Sequence, residues 1–425
     1  MLTAISRYGV RVLPNTQQLI RQCRRRGELV RGPAIEEFEA AFSRLVGGRA
    51  AISASYGRMA FYYILKALAL PPGSEVIFPA LTFWVVPEMA RVLGLKPVFV
   101  DVDPATFNMD PDSLERAITD RSRAVVPTHL YGLPCDMDRI LDIAGKHGLT
   151  VIEDCAHALG ASYRGRPAGA LGDAAFFSFQ TLKPLNTYGG GMAVARDPAL
   201  SQRISTLARS EPWPDDSEVL GLLRRGRVQR VFVRPGVFRW TLFPILWAAS
   251  VLRARPDVYL WEPIRRLDPI PPAYRRRYSN VQAVLGLEGL RRLDEWTAAT
   301  RRNAAVLTEA VGSIAGVQAP AVPPDRTHAF YQYCLYVPDR DRLVQRCIRR
   351  GLDIETLHVD VCTRLALFEA SRTSAPGADR AAEVVQLPVY ASLTEDQVRW
   401  VCDTVRAALH SSARWTTSGS AAARG

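Results

Sequence analysis

Lysine is nearly missing from this chain: four lysines stand against fifty arginines in 425 residues. Positive charge is carried almost wholly by guanidinium groups that keep their proton, so a retained lysine is best explained by an amine that can lose one. Long apolar runs are missing as well. No segment reaches the roughly eighteen apolar residues of a membrane span, and the start, Met1-Leu-Thr-Ala-Ile-Ser-Arg-Tyr-Gly9, lacks the unbroken apolar stretch of a signal peptide. The seven cysteines (23, 135, 155, 334, 347, 362 and 402) are odd in number and form no C-x-x-C pair. That spacing speaks against a disulfide framework and a zinc site, no metal is expected, and a reducing cytoplasm fits the usage. The net charge of +12 is mostly arginine spread along the chain, without the aromatic interleaving of a single-strand nucleic-acid platform. Anionic small molecules or membrane headgroups are the expected partners, and nucleic acid is not.

What is present points to a large α/β enzyme. With 48% hydrophobic residues the chain can bury a sizeable core and is expected to form two domains. Between residues 50 and 155, β-branched runs alternate with helical patterns, beginning at Ala50, Glu75, Pro97, Arg123 and Thr150. That spacing leaves room for one helix per crossover, which predicts parallel strands with helices on both faces and ligands at the carboxyl ends. Two further runs, 174–179 and 192–195, read as neighbouring strands joined by a turn. A helix is expected from Ser279, a plausible N-cap, leading into a smaller domain. The boundaries read as 15–275 for the large domain, 276–410 for the connecting helix and small domain, and 411–425 for a disordered polar tail.

One stretch, about 212–270, fits neither pattern. From Pro212 to Arg277 it holds thirteen Arg against six acidic residues, and Trp240 to Leu252 carries no charge for thirteen residues between flanking arginines. Thirteen residues cannot span a bilayer. The run at 236–252 either lies in a membrane interface, drawn by anionic headgroups, or packs over the sheet or a dimer interface.

The chemistry concentrates around Lys183, in Ser178-Phe-Gln-Thr-Leu-Lys183-Pro-Leu-Asn-Thr-Tyr-Gly-Gly-Gly191, twenty-nine residues after Asp154. Pyridoxal 5'-phosphate (PLP) needs an amine for its aldehyde, a carboxylate against its ring nitrogen, a surface for its ring face and donors for its phosphate. Lys183 offers the amine and a general base, and Asp154, at the end of a predicted strand, offers the carboxylate. Gly57 and Arg58 begin a helical run directly after a strand, where backbone N–H groups and a guanidinium suit a phosphate. Ser178 either joins them or bonds its own backbone.

These motifs resemble the DegT/StrS-type family of PLP-dependent sugar aminotransferases, of the type I aminotransferase fold. The likeness runs from about Gly32 to about Leu409 and is strongest in Glu153-Asp-Cys-Ala-His-Ala-Leu-Gly-Ala161, Gly172-Asp-Ala-Ala-Phe-Phe-Ser-Phe179, Lys183 and Gly189-Gly-Gly-Met192. It implies a mostly parallel seven-stranded sheet, a Schiff base on Lys183, Asp154 against the ring nitrogen and Ser178 on the phosphate. It also implies His157 near the ring hydroxyl, Phe83 stacked on the ring, and His328 and His358 approaching the substrate. A homodimer is implied too, each site borrowing residues from its neighbour.

Three departures stand out. Tyr56-Gly57-Arg58 replaces the family's usual Ser-Gly-Thr, Arg275 replaces an Asn that reaches the partner subunit's phosphate, and Tyr188-Gly189-Gly-Gly replaces a Gly-Glu-Gly-Gly after the lysine, with the loss of its glutamate. Arg58 and Arg275 are therefore expected to bind phosphate as charged donors. The implied reaction moves an amino group from an amino acid such as L-glutamate to a keto-sugar, nucleotide-linked, in surface glycan or secondary-metabolite synthesis. The alternatives are a related sugar dehydratase, although such enzymes resemble this chain with His in place of the lysine, and a PLP-binding regulator without turnover.

Overall fold

The structure, a computed structural model, describes residues 4–410 except 10, 12, 252–261 and 357. The expected tail at 411–425 lies outside the described residues. Seven strands form one sheet: β1 (Ala50–Ala54), β2 (Glu75–Pro79), β3 (Lys96–Val100), β4 (Ser122–Val125), β5 (Thr150–Asp154), β6 (Ala174–Ser178) and β7 (Gly191–Ala195). Their order is β1-β7-β6-β5-β4-β2-β3. Only β7 runs against its neighbours; every other pairing is parallel. Every residue of β2 and β7 is buried, as expected for strands covered on both faces.

The connections set the site. β1 leads through Ser55 and Tyr56 into helix α1 (Gly57–Leu68). The turn is tight: a Cβ on Gly191 would stand 2.5 Å from Gly57 N and Cα, and one on Gly57 would stand 2.9 Å from Ser178 Cβ. Glycine is what lets the start of α1 press onto the ends of β6 and β7. Those two strands pair antiparallel with Ser178 opposite Gly191, so residues 179–190 form the loop that carries Lys183.

Within the basic stretch, residues 216–232 and 242–251 are helical. Helix α2 (Asp216–Phe232) starts at Asp215, whose carboxylate accepts from Glu218 N–H at 2.8 Å while Glu218 accepts from Asp215 N–H at 3.0 Å. Helix α3 (Leu242–Val251) buries Phe243 and Leu246 with Leu343, Val344 and Cys347 of the small domain. Its packing face thus meets the small domain instead of the sheet. Trp240 (73% exposed) and Ile245 (67%) face outward, as does Trp247.

The single helix expected after Ser279 is two, α4 (Asn280–Leu290) and α5 (Leu293–Val311). Each half follows a different core: Ala283 of α4 packs with Phe38 and Phe42, whereas Ala304, Leu307 and Val311 of α5 pack in the small-domain cluster. That cluster also holds helices α6 (Arg340–Arg349) and α7 (Glu395–His410) and the antiparallel strand pair Tyr333–Leu335 with Val385–Leu387. Among the described residues no helix is long and apolar enough to cross a membrane, and all seven cysteines are free and buried.

Candidate active site

A cavity of about 340 Å³ opens at the carboxyl ends of β5 and β6. Lys183, Asp154, His157, Ser178, Gly57 and Arg58 line it, together with Phe83 and His358. Asp154 ends β5 and is held by the Ala156 N–H, which donates to Oδ1 at 3.0 Å. No side chain caps α1 at Tyr56, so its first turn offers backbone donors to an anion in the cavity. The Ser178 hydroxyl has no hydrogen-bond partner among the described residues, which leaves it open to a ligand.

Burial dominates the electrostatics. Desolvation lowers Lys183 to about 8, against the pull of Asp154 and Glu355 toward the charged form, with Arg58 lowering it further. Desolvation raises Asp154 to about 6, opposed by the Ala156 N–H and by Lys183. The lysine is thus close to losing its proton at neutral pH, and the carboxyl is mostly ionised there. Burial and the Lys183 charge push His157 well below its ordinary value, so its ring is neutral. Its Nδ1 is buried with no hydrogen-bond partner among the described residues.

Three of the expected residues have partners within this chain. Arg58 lines the cavity, but its guanidinium is held by Glu262 through two hydrogen bonds of 2.7 and 2.6 Å, with the Tyr274 ring 4.9 Å away. Arg275 does not line the cavity of its own chain; its Nε donates to Glu211 at 3.1 Å, and the side chain is more than half exposed. His328 is also outside the cavity: its ring stacks on Phe330 at 4.0 Å, its Nδ1 accepts from Phe330 N–H at 2.8 Å, and burial holds it neutral, down to about 3. It shapes the segment that presents Tyr331.

Tyr331 was not legible in the sequence. Phe330, at φ 49°, turns the chain so that the next side chain points inward. The Lys183 ammonium stands 4.9 Å from the Tyr331 ring centre, and the same ring stacks on His157 at 4.2 Å. The Tyr331 hydroxyl meets His358 Nε2 at 2.9 Å, His358 Nδ1 lies 3.4 Å from Glu355, and Glu355 accepts from the Tyr8 hydroxyl. Of these groups only His358 was expected from sequence.

Behind Asp154, buried Glu153 accepts N–H bonds from Gly169, Leu171 and Gly172 at 2.8, 2.8 and 2.7 Å and meets His129 Nε2 at 2.9 Å. His129 Nδ1 accepts from Cys135 N–H, so the proton it offers Glu153 is on Nε2. Cys155 lies close enough to complete a metal-sized cluster. The carboxylate is committed to protein donors, and its work is to hold the 169–172 turn beneath the site.

The groups in the cavity fit PLP: a buried low-pKa amine, a carboxylate, an unpartnered imidazole nitrogen, a free hydroxyl and an uncapped helix start. Comparison with known proteins agrees. Residues 13–212 and 255–406 match the model of the DegT/DnrJ/EryC1/StrS aminotransferase family. The chain is 30% identical over 402 residues to a pleiotropic regulatory protein of Geobacillus stearothermophilus, covering 92% of this chain and 94% of that one. It is 32% identical over 389 residues to a GDP-perosamine synthase of Caulobacter vibrioides, covering 89% and 90%. The crystal structure of the sugar aminotransferase CalS13 from Micromonospora echinospora superposes with a TM-score of 0.76 at 27% identity, over 95% of this chain and 99% of that one.

Proposed function

The chain belongs to the DegT/DnrJ/EryC1/StrS aminotransferase family, and from that premise we propose that it moves an amino group from L-glutamate to a nucleotide-linked keto-sugar in glycan or secondary-metabolite synthesis. The observation that carries this reading is the buried pair of Lys183 and Asp154 in one cavity, the amine lowered to about 8. When bound, PLP supplies the electron sink for amino transfer. Asp154 and His157 would hold its ring, Phe83 its face, and Ser178 with the first turn of α1 its phosphate. Lys183 Nζ would take and return the proton at the substrate carbon that bears nitrogen. Tyr331 shields that amine from water on one side.

The name of the Caulobacter relative, GDP-perosamine synthase, supports a nucleotide carrier. The regulatory name of the Geobacillus relative keeps a role without turnover in view. The PLP-loaded protein mixed with L-glutamate should release 2-oxoglutarate with a change in the cofactor absorbance. Retained cofactor with no 2-oxoglutarate would favour the regulator.

Two assembly features belong to the same proposal. The working form is a homodimer, as the family likeness implies, with the exposed Arg275 serving the partner subunit's phosphate; light scattering should give twice the chain mass, and Arg275→Ala should weaken cofactor retention. The outward Trp240, Ile245 and Trp247, beside Arg234 and Arg239, suit an anionic bilayer surface, where each basic residue contributes about 1 kcal/mol. Vesicles rich in phosphatidylglycerol should float the protein, and the Trp240→Ala/Trp247→Ala variant should stay behind. No flotation of the native protein would remove the membrane contact.

A further inference from the structure

The family model stops at residue 212 and resumes at 255. The segment between is nevertheless part of the cavity wall: Leu222, Arg225, Gly226 and Gln229 of α2, and Val233 after it, all line the site. Two departures around the cofactor site are the places where this segment and its return are fastened. Tyr188, in the lysine loop, stands where the family pattern has Gly. A Cβ on Gly226 would lie 2.2 Å from Tyr188 Cδ1, Leu222 packs against Gly189, and Arg230 Nη1 donates to the Tyr188 hydroxyl at 3.1 Å. A glycine at 188 would leave nothing to pack beside Gly226, where the tyrosine ring fits. Arg58, in place of a neutral residue, grips Glu262, on the chain that returns from the segment. Both departures bind a wall that the family pattern lacks.

Among the described residues, the wall turns one uncommitted cation toward the cavity. Arg230 is held by Tyr188 and Arg58 by Glu262. Arg225 lines the cavity, is exposed, and has no ion pair or hydrogen bond there. Its charge is felt at Tyr56, just before α1. Arg225 is exposed where Lys183 is not, so an anion held by Arg225 sits on the solvent side of the cavity. That suits the carrier end of a substrate better than the carboxylate of an amino donor, which must lie beside the amine.

We propose that residues 213–251 form a substrate-recognition wall supplied within the chain, and that its Arg225 binds the diphosphate joining the sugar to its carrier. The proposal rests on the aminotransferase reading above. A guanidinium in a fixed fork suits phosphate oxygens, and a charge-assisted bond of this kind changes affinity by roughly 10- to 100-fold. The test is calorimetric binding of UDP, GDP, dTDP and farnesyl diphosphate to the PLP-loaded enzyme, alongside steady-state kinetics with the keto-sugar. Arg225→Ala should weaken whichever diphosphate binds, and raise the sugar KM, by about 10- to 100-fold with kcat within about threefold. Arg225→Lys should recover part of the loss, and Arg224→Ala, exposed on the same helix but off the cavity, should leave affinity unchanged. Binding by a nucleoside diphosphate or by farnesyl diphosphate tells a nucleotide carrier from an isoprenoid one. The proposal is overturned if native enzyme binds none of the four, if Arg225→Ala binds as tightly as native, if Arg224→Ala loses as much, or if the KM that rises is that of glutamate. Release of 2-oxoglutarate by the native enzyme is scored separately, so its failure would reject the aminotransferase reading and not the role of Arg225.

Discussion

Lys183 differs from the other three lysines in its surroundings. Burial lowers it to about 8 from 10.5, and only the deprotonated amine attacks an aldehyde. Attachment of PLP to the cofactor-free protein should therefore speed up as pH rises and level off above about 8. Stopped-flow absorbance across pH would show this; a rise continuing toward 10.5 would mean that the amine is solvated. Glu153 makes a different residue-scale prediction. Burial alone would raise it, but His129 and the N–H groups of Gly172 and Gly169 hold it below its ordinary 4.5. Its folded value is depressed, so its stabilisation is complete above about pH 4.5 and drains as pH falls through the folded value. Glu153→Ala strands those donors and should cost about 3–5 kcal/mol in denaturant melts at pH 7, a penalty that shrinks toward acid pH.

The elements differ in how far sequence predicts them. The sheet was legible because its strands are short β-branched runs at helix-length spacing, and the lysine loop because Ser178 and Gly191 lie on adjoining runs. The helices within residues 213–251 were not. Helix α2 mixes charged and apolar residues around its circumference, so its buried side follows from Tyr188 and the cores it meets. Arg58 could not reveal its partner, since Glu262 lies 204 residues away. Tyr188 and Tyr331 escaped because left-handed backbone, at Tyr188 itself (φ 63°) and at Phe330, decides where their rings go. Asp154 was readable because a carboxylate at a strand end needs no such turn. At this scale Gly226→Val is the decisive change. The added side chain meets the Tyr188 ring, and overpacking of this kind costs about 1–3 kcal/mol. The variant should melt earlier and bind the keto-sugar more weakly; unchanged melting would show that α2 is not packed on the lysine loop.

At the scale of the whole molecule, the large sheet brings the amine and carboxylate together, the small domain adds His358 and Glu355, and helix α2 closes one side. The family frame supplies the reaction, and the arginine-rich wall supplies what is particular to this chain. The most direct measurement is the mass of the product formed when the PLP-loaded enzyme meets L-glutamate and a panel of nucleotide-linked keto-sugars, run beside Lys183→Ala. The account predicts the amino-sugar mass from at least one member of the panel with the native enzyme, and a loss of at least about 10⁴-fold in the variant. Equal product from Lys183→Ala, or none from the native enzyme with glutamate consumed, would contradict it.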